Sequence, residues 1–291
     1  MRTECLRSLA ADDPVVVVDG TLGGGGHASA WLQTLPPGST LVGLDRDPTA
    51  IERSRSVVRS NTHRVELRVA SYREIGSVVA ELGLDRVDRM LLDLGLSSDQ
   101  LLDRSRGFGF QAGGELDLRF DPSDGIPANE WLQQTGVDEV AASLRNYADQ
   151  PRAEAVAAAL KQSPVRTTEQ LVERVASVTG PGGPGKNPAT RVVQALRIVV
   201  NDELGHLQTA LTETIPAVMP PGGVLAVLSF HSIEDRLVKR ALTSAGQDRS
   251  EPVWTLRPKK PILPRPAEVR DNPRSRSAKL RVAIRSGAAA D

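Results

Sequence analysis

Val15-Val16-Val17-Val18-Asp19-Gly20-Thr21-Leu22-Gly23-Gly24-Gly25-Gly26-His27 is the stretch from which the fold is read. Val15 to Val18 form a β-branched run of the length of a buried strand. The glycines let the backbone take positive φ and let a ligand approach closely. His27 to Gln33 then reads as a helix start, whose free N–H groups favour a polar or anionic ligand. Moving outward, Leu41-Val42-Gly43-Leu44 predicts a second short strand that ends at Asp45, and Pro48 suits the first turn of a helix from Thr49 to about Arg59. Val65 to Val69 predicts a third strand, and Arg89 to Leu92 a fourth that ends at Asp93. Strands alternating with helices imply a parallel, doubly wound α/β sheet. Ligands of such sheets sit at the carboxyl ends of the strands, where the glycines, Asp45 and Asp93 fall.

The pattern changes after about Arg104. Up to Asn187 no convincing strand is visible, but helices are predicted over Asp138–Tyr147 and Arg152–Lys161. Thr167 with Gln170 gives a capping-box start for another helix to about Val178. After a Pro/Gly break at 180–185, Asn187 and Pro188 open a long amphipathic helix carrying Val192, Val193, Leu196, Val200, Leu204, Leu207 and Leu211 on one face. Strands return at Val224–Ser229 and Leu280–Ile284. The expected organisation is a discontinuous α/β domain (1–103 and 205–291) with an inserted all-α domain (104–204).

With 291 residues, 40% apolar and 25% charged, the chain can bury a substantial core, which excludes wholesale disorder. No run approaches the roughly 18–20 apolar residues of a membrane span, and the first nine residues lack a secretory signal's apolar core. A single cysteine, Cys5, and four scattered histidines exclude a disulfide framework and give no zinc-ligand spacing, so no metal is expected. A cytoplasmic enzyme is the natural expectation. The formal net charge is zero, yet residues 236–285 hold fourteen Lys or Arg against four acids. That quarter can meet phosphates. Arg265, Arg270, Arg274, Arg276 and Lys279 read as a flexible basic arm able to track an RNA backbone.

Gly23, Gly25 and Ala28 satisfy the dinucleotide pattern, and Asp45, twenty residues after Gly25, can accept both hydroxyls of a ribose. This pairing points to an adenosine-type cofactor and leaves NAD and S-adenosylmethionine both open. Asp93-Leu94-Gly95-Leu96-Ser97-Ser98-Asp99-Gln100 discriminates further. Hydride transfer has no particular need for an acid followed by hydroxyls and an amide. Methyl transfer to an exocyclic amine does, because the acceptor nitrogen must be held in line and its N–H groups accepted. Ser97 and Ser98 also suit ordinary turn capping.

The blocks Asp-Gly-Thr-Leu-Gly-Gly-Gly-Gly-His (19–27), Asp-Arg-Asp-Pro (45–48), Asp-Leu-Gly-Leu-Ser-Ser-Asp-Gln-Leu (93–101), Arg-Gly-Phe-Gly-Phe (106–110), Ala-Thr-Arg-Val-Val-Gln-Ala-Leu-Arg-Ile (189–198) and Phe-His-Ser-Ile-Glu-Asp-Arg (230–236) cover nearly the whole chain. Together they resemble the RsmH/MraW family, the bacterial 16S rRNA cytosine-N4 methyltransferases. The resemblance implies a class I, Rossmann-like methyltransferase sheet with a helical insertion, S-adenosylmethionine as cofactor, and N4 of a decoding-region cytidine as acceptor. It implies 16S rRNA, within the small ribosomal subunit, as partner, and leaves a homodimer open. It assigns the methionine end of the cofactor to Gly25, Gly26 and His27, the ribose to Asp45, the adenine side to Tyr72, and further cofactor contacts to Asp93 and Gln100.

For catalysis the candidates are Asp93, Ser97 and His231. For the substrate they are Phe230 as a stacking face, Ser232 and His231 as edge donors or acceptors, and Arg236, Arg106 and Phe108 as guanidinium and aromatic surface. Each has a plainer alternative: a helix-start network with Arg236 paired to Glu234 or Asp235, and core anchoring for Phe108. The chain departs from the family pattern at Tyr72 (usually Phe), Gly109 (Ser), Glu115 (Pro) and Asn187 (His), and at Tyr147-Ala148-Asp149-Gln150-Pro151, where Tyr-Gly-Glu-Glu and an Arg-rich run are usual. It begins just after the family's His-x-Pro-Val stretch. These departures leave the cofactor motifs intact. They weaken the case that the helix from Arg152 touches RNA, and they keep open a homologue that binds cofactor and RNA with altered activity.

Overall fold

The computed structural model describes residues 1–110, 114–183, 187–244 and 253–287. It divides into two compact units, Met1–Gly95 with Leu204–Asp291, and Leu96–Glu203. In the first unit, seven strands form one sheet: β1 (Val16–Asp19), β2 (Thr40–Asp45), β3 (Arg64–Val69), β4 (Arg89–Asp93), β5 (Val224–Ser229), β6 (Trp254–Leu256) and β7 (Lys279–Arg285). Their order is β3-β2-β1-β4-β5-β7-β6. The pairings among β3, β2, β1, β4 and β5 are parallel, whereas β7 runs antiparallel to both β5 and β6. The expected α/β class and doubly wound parallel sheet are borne out.

The strand period of two sorts side chains into two cores. Val18, Val42, Met90, Leu92, Leu225 and Val227 face one core with Ile75, Val78, Leu211, Ile215, Val238 and Trp254. Val17, Leu41, Leu91, Ala226, Leu228 and Leu280 face the other with Cys5, Leu9, Ala28, Trp31 and Ile51. Burial on both faces explains why these strands read as continuous apolar runs. The Trp254 indole N–H donates to Leu211 O at 3.2 Å, so its polar atom is met inside the core.

Described elements of the second unit include the helices Ala128–Gln134, Val137–Ala148, Ala153–Lys161, Thr168–Thr179 and Thr190–Val200. They share a core of Leu116, Leu132, Val140, Leu144, Val156, Leu171, Val192 and Leu196. The Thr167/Gln170 capping box is present as the sequence predicts.

Two expectations change, and one strand was not foreseen. The long helix after Asn187 is broken at Asn201-Asp202, where Asp202 takes φ 45°. The Asn201 amide is the cause: Nδ2 donates to Leu118 O (2.7 Å) and Arg197 O (2.9 Å), while Oδ1 accepts from Phe120 N (2.7 Å). Beyond the break run the helix Glu203–Thr209, a wide turn Ala210–Thr214 and the short helix Ile215–Val218. The basic stretch from Arg265 is not an irregular arm, because Pro266 opens a helix to Asp271 and a 3-10 turn follows at Pro273–Ser277. Strand β6, only three residues long, carried no readable pattern. Part of the Pro/Gly break (184–186) and the charged residues Asp248, Arg249 and Glu251 lie outside the described residues. Among the described residues no helix is long and apolar enough to cross a membrane.

Candidate functional site

Three strands end on an acid at the same edge of the sheet: Asp19 on β1, Asp45 on β2 and Asp93 on β4. Asp45 is held flat by backbone. Gly23 N donates to its Oδ2 at 2.8 Å and Asp47 N to its Oδ1 at 2.9 Å. Burial still raises its carboxyl above the ordinary range, with those two amides working the other way. The free lone pairs of such a carboxylate can take paired hydroxyls.

The glycine turn supplies the neighbouring wall. Gly25, the N-cap of the helix Gly26–Leu32, sits at φ 76°, and a Cβ there would lie 2.5 Å from Val58 Cγ2. Gly26 differs, because a Cβ there would meet nothing within 4 Å. The turn therefore needs glycine at 25 to fold, while at 26 glycine leaves open space. Tyr72, half-buried, begins a short 3-10 turn capped by the Ser71/Glu74 box. Its Cβ lies beside Gly20, where an added methyl would be only 3.1 Å away.

On the other side of β1 the polar groups are less well met. The Asp93 backbone N–H donates to Thr21 Oγ1 at 2.6 Å, which ties β4 to the turn. Its carboxylate Oδ2 lies 3.4 Å from His27 Nδ1, and its buried Oδ1 has no hydrogen-bond partner among the described residues. Burial pushes Asp93 up to about 7, and the Glu234 charge adds to the rise. Burial likewise raises Asp19, 1% exposed, to about 7 and lowers His27 to about 4. His27 is therefore neutral at pH 7, and its buried Nε2 has no hydrogen-bond partner among the described residues.

The loop after β5 completes this end, with Leu94 N donating to Leu228 O. Gly95, at φ 102°, faces Phe230, whose Cδ2 would lie 3.7 Å from an added Cβ. His231 is the N-cap of the helix Ser232–Thr243 in a capping box with Glu234. Its Nδ1 accepts from Glu234 N at 3.3 Å, while Nε2 lies 2.9 Å from Glu234 Oε1 at an angle that makes no hydrogen bond. Glu234 Oε2 accepts from Phe230 N at 3.0 Å. Arg236 is exposed and takes neither Glu234 nor Asp235 as a partner. Asp235 instead binds Lys279 (2.9 Å) and Arg281 (2.7 Å). Burial works against ionisation of Asp235, but those bonds outweigh it and hold the carboxyl below its ordinary range.

The remaining sequence candidates belong to the helical unit. Ser97 and Gln100 form a capping box, with Gln100 N donating to Ser97 Oγ (3.1 Å) and Ser97 N to Gln100 Oε1 (3.0 Å). Arg106, 6% exposed, donates to the carbonyls of Arg119 and Phe120. Phe108, 2% exposed, stacks on Phe120 at 6.0 Å in that unit's core. As placed, neither presents a surface to a base. Sequence reasoning missed Asp19, Thr21 and Glu234 as contributors. The repeated pattern of an apolar run ending in Asp was the signal for the first of them.

The strand order with its one reversed strand, β7, the glycine turn after β1 and the acids ending β2 and β4 define a class I methyltransferase. The chain belongs to the MraW methylase family, whose model matches residues 1–286. It is 44% identical over 289 residues to the ribosomal RNA small subunit methyltransferase H of Sorangium cellulosum, covering 97% of this chain and 89% of that one. The protein of the same name from Rubrobacter xylanophilus is 43% identical over 299 residues, covering 98% and 95%. That from Rhodopirellula baltica is 40% identical over 300 residues, covering 98% and 90%.

Proposed function

We propose that this chain methylates N4 of a cytidine in 16S rRNA, within the small ribosomal subunit, using S-adenosylmethionine. The observation that carries the reading is Asp93, a half-buried carboxylate whose buried Oδ1 has no hydrogen-bond partner among the described residues and whose carboxyl is raised to about 7. The residues present fit the cofactor: Asp45 for the ribose hydroxyls, Tyr72 beside the adenine, and the Gly25-Gly26-His27 turn at the methionine end. When bound, the cofactor supplies an electrophilic methyl group on a sulfonium.

The protein's part is positioning and proton management. A cytosine amine is a poor nucleophile because its lone pair is delocalised into the ring, so alignment supplies much of the rate. Phe230 offers a face for the flipped base beside Gly95. Asp93 accepts a hydrogen bond from N4 and takes its proton as the N–C bond forms. A carboxyl near 7 is suited to that task at neutral pH. Thr21 fixes the backbone of Asp93, and neutral His27 adds no competing positive charge. Ser232 and Arg236, both exposed in the first turns of the helix Ser232–Thr243, would meet the flanking nucleotides.

The test is transfer of labelled methyl from S-adenosylmethionine to small subunits that lack the modification, followed by nucleoside analysis. Labelled N4-methylcytidine is expected. Cofactor binding without any labelled nucleoside would overturn the enzymatic reading, and binding of NAD in place of S-adenosylmethionine would overturn the cofactor.

A further inference from the structure

The helical unit contains a cavity of about 690 Å³ lined by Gln150, Arg152, Gly180, Asn187, Thr190 and Arg191, among others. No acidic and no aromatic side chain is among its described lining residues. Two guanidiniums face it, each anchored by one donor to a helix-end carbonyl. Arg152 binds Val178 O, and Arg191 binds Asp149 O at 2.8 Å. That anchoring fixes the planar groups and leaves further N–H donors for a ligand.

Gln150 supplies the observation that points to an occupant. It is 6% exposed and lines the cavity, yet its side-chain amide makes no hydrogen bond among the described residues. Its amide donors are therefore open to a ligand in the cavity. The helix Ala153–Lys161 also begins at this cavity, and its N-terminus has no side-chain cap, whereas at Thr190–Val200 Asn187 already accepts from Ala189 N and Thr190 N. The free N–H groups of the first helix add positive potential to that of the arginines.

We propose that this cavity holds a phosphodiester phosphate of the RNA substrate with its attached sugar. The two arginines match a phosphate, the Gln150 amide donates to it, and the volume exceeds what a bare anion fills. The lack of an aromatic lining fits a backbone contact rather than a base pocket, so the site positions RNA without reading its sequence. The assignment to RNA rests on the function proposed above; the anion chemistry does not.

The experiment measures binding of fluorescently labelled 16S rRNA to the full chain across a potassium chloride series. R152Q/R191Q and Q150E are compared with the wild type. Both variants are expected to bind about tenfold more weakly at 100 mM salt, and the double variant to show a salt slope shallower by roughly one to two ions. Q150E keeps the side-chain size and breaks no recorded bond, so it keeps the test open if the arginine variant melts early. The S-adenosylmethionine affinity of both variants, governed by the other unit, serves as the folding control. Affinity and slope within twofold of wild type in a folded variant overturn the proposal. So does inorganic phosphate that binds at this cavity without competing with RNA, which would make it a free-anion site. If wild type makes no N4-methylcytidine but the variants still lose RNA affinity, the catalytic reading fails and this one stands.

Discussion

Asp45 and Asp93 end the two strands that flank β1, and they meet different surroundings. Both oxygens of Asp45 receive a backbone N–H, so that side of the site is complete before anything binds. Asp93 keeps a buried oxygen without a hydrogen-bond partner among the described residues, beside a histidine that burial holds neutral. A satisfied carboxylate is a fixture for holding a ligand. An under-satisfied one is an acceptor still owed a proton or a hydrogen bond, which is what chemistry at an amine requires. Under the proposed function, the number of amides that reach each acid separates holding from reacting at one end of the sheet.

The largest expected effect tests the reacting side. Asp93→Asn removes the proton acceptor and is expected to lower kcat about 10²–10⁴-fold while cofactor affinity stays within a few-fold. In the wild type, the acceptor must be ionised, so kcat/KM rises with pH and levels above about 7; stopped assays from pH 5.5 to 9 check both. An unchanged pH profile in the variant would break the comparison. On the holding side, Asp45→Ala is expected to weaken S-adenosylmethionine binding roughly 10–100-fold by calorimetry, about 1.4–2.8 kcal/mol. Its kcat at saturating cofactor should move much less.

The glycine turn offers a sharper pair. Gly25→Ala places a methyl against Val58 at positive φ and is expected to destabilise the protein by about 1–3 kcal/mol in urea melts. Gly26→Ala meets open space and is expected to stay within about 1 kcal/mol of wild type, while still weakening cofactor binding. Equal destabilisation by both would mean that the turn's glycines serve folding alone.

The smallest effect concerns Asp19, whose carboxyl rises from 3.8 to about 7 on folding. The folded chain then holds a proton that the unfolded chain releases, so stability falls as pH climbs from about 4 to 7 and stays reduced above. Asp19→Asn keeps an acceptor for Thr21 N and carries no charge. Its Tm is expected to exceed that of wild type by roughly 3–6 °C at pH 8, and to converge with it near pH 4.

The strands of the sheet were legible because burial on both faces writes them as short apolar runs, and Asp45 and Asp93 were legible because they end such runs. The state of Asp93 was not legible. It depends on Thr21 and His27 in the glycine turn and on Glu234 after β5, which approach from two other chain segments and leave no pattern local to β4. The break at Asn201 was hidden for the same reason, since the amide that causes it answers to Leu118 and Phe120. Phe230 and His231 were readable as residues of a loop after a strand. That His231 caps its own helix through Glu234 follows from one backbone angle that periodicity does not encode.

The position of β7 between β5 and β6 has a consequence for assembly. Strand β4 ends at residue 93, but its neighbour β5 begins at 224 and the next strand in the sheet at 279. As the chain emerges from a ribosome, the helical unit, continuous from 96 to 203, can close on local contacts alone. The cofactor-holding sheet must wait with the inner edge of β4 unpaired until much later residues arrive. The enzyme's most exposed moment is thus a half-built sheet, when a chaperone or a neighbouring nascent chain has access to an edge that the finished protein never shows.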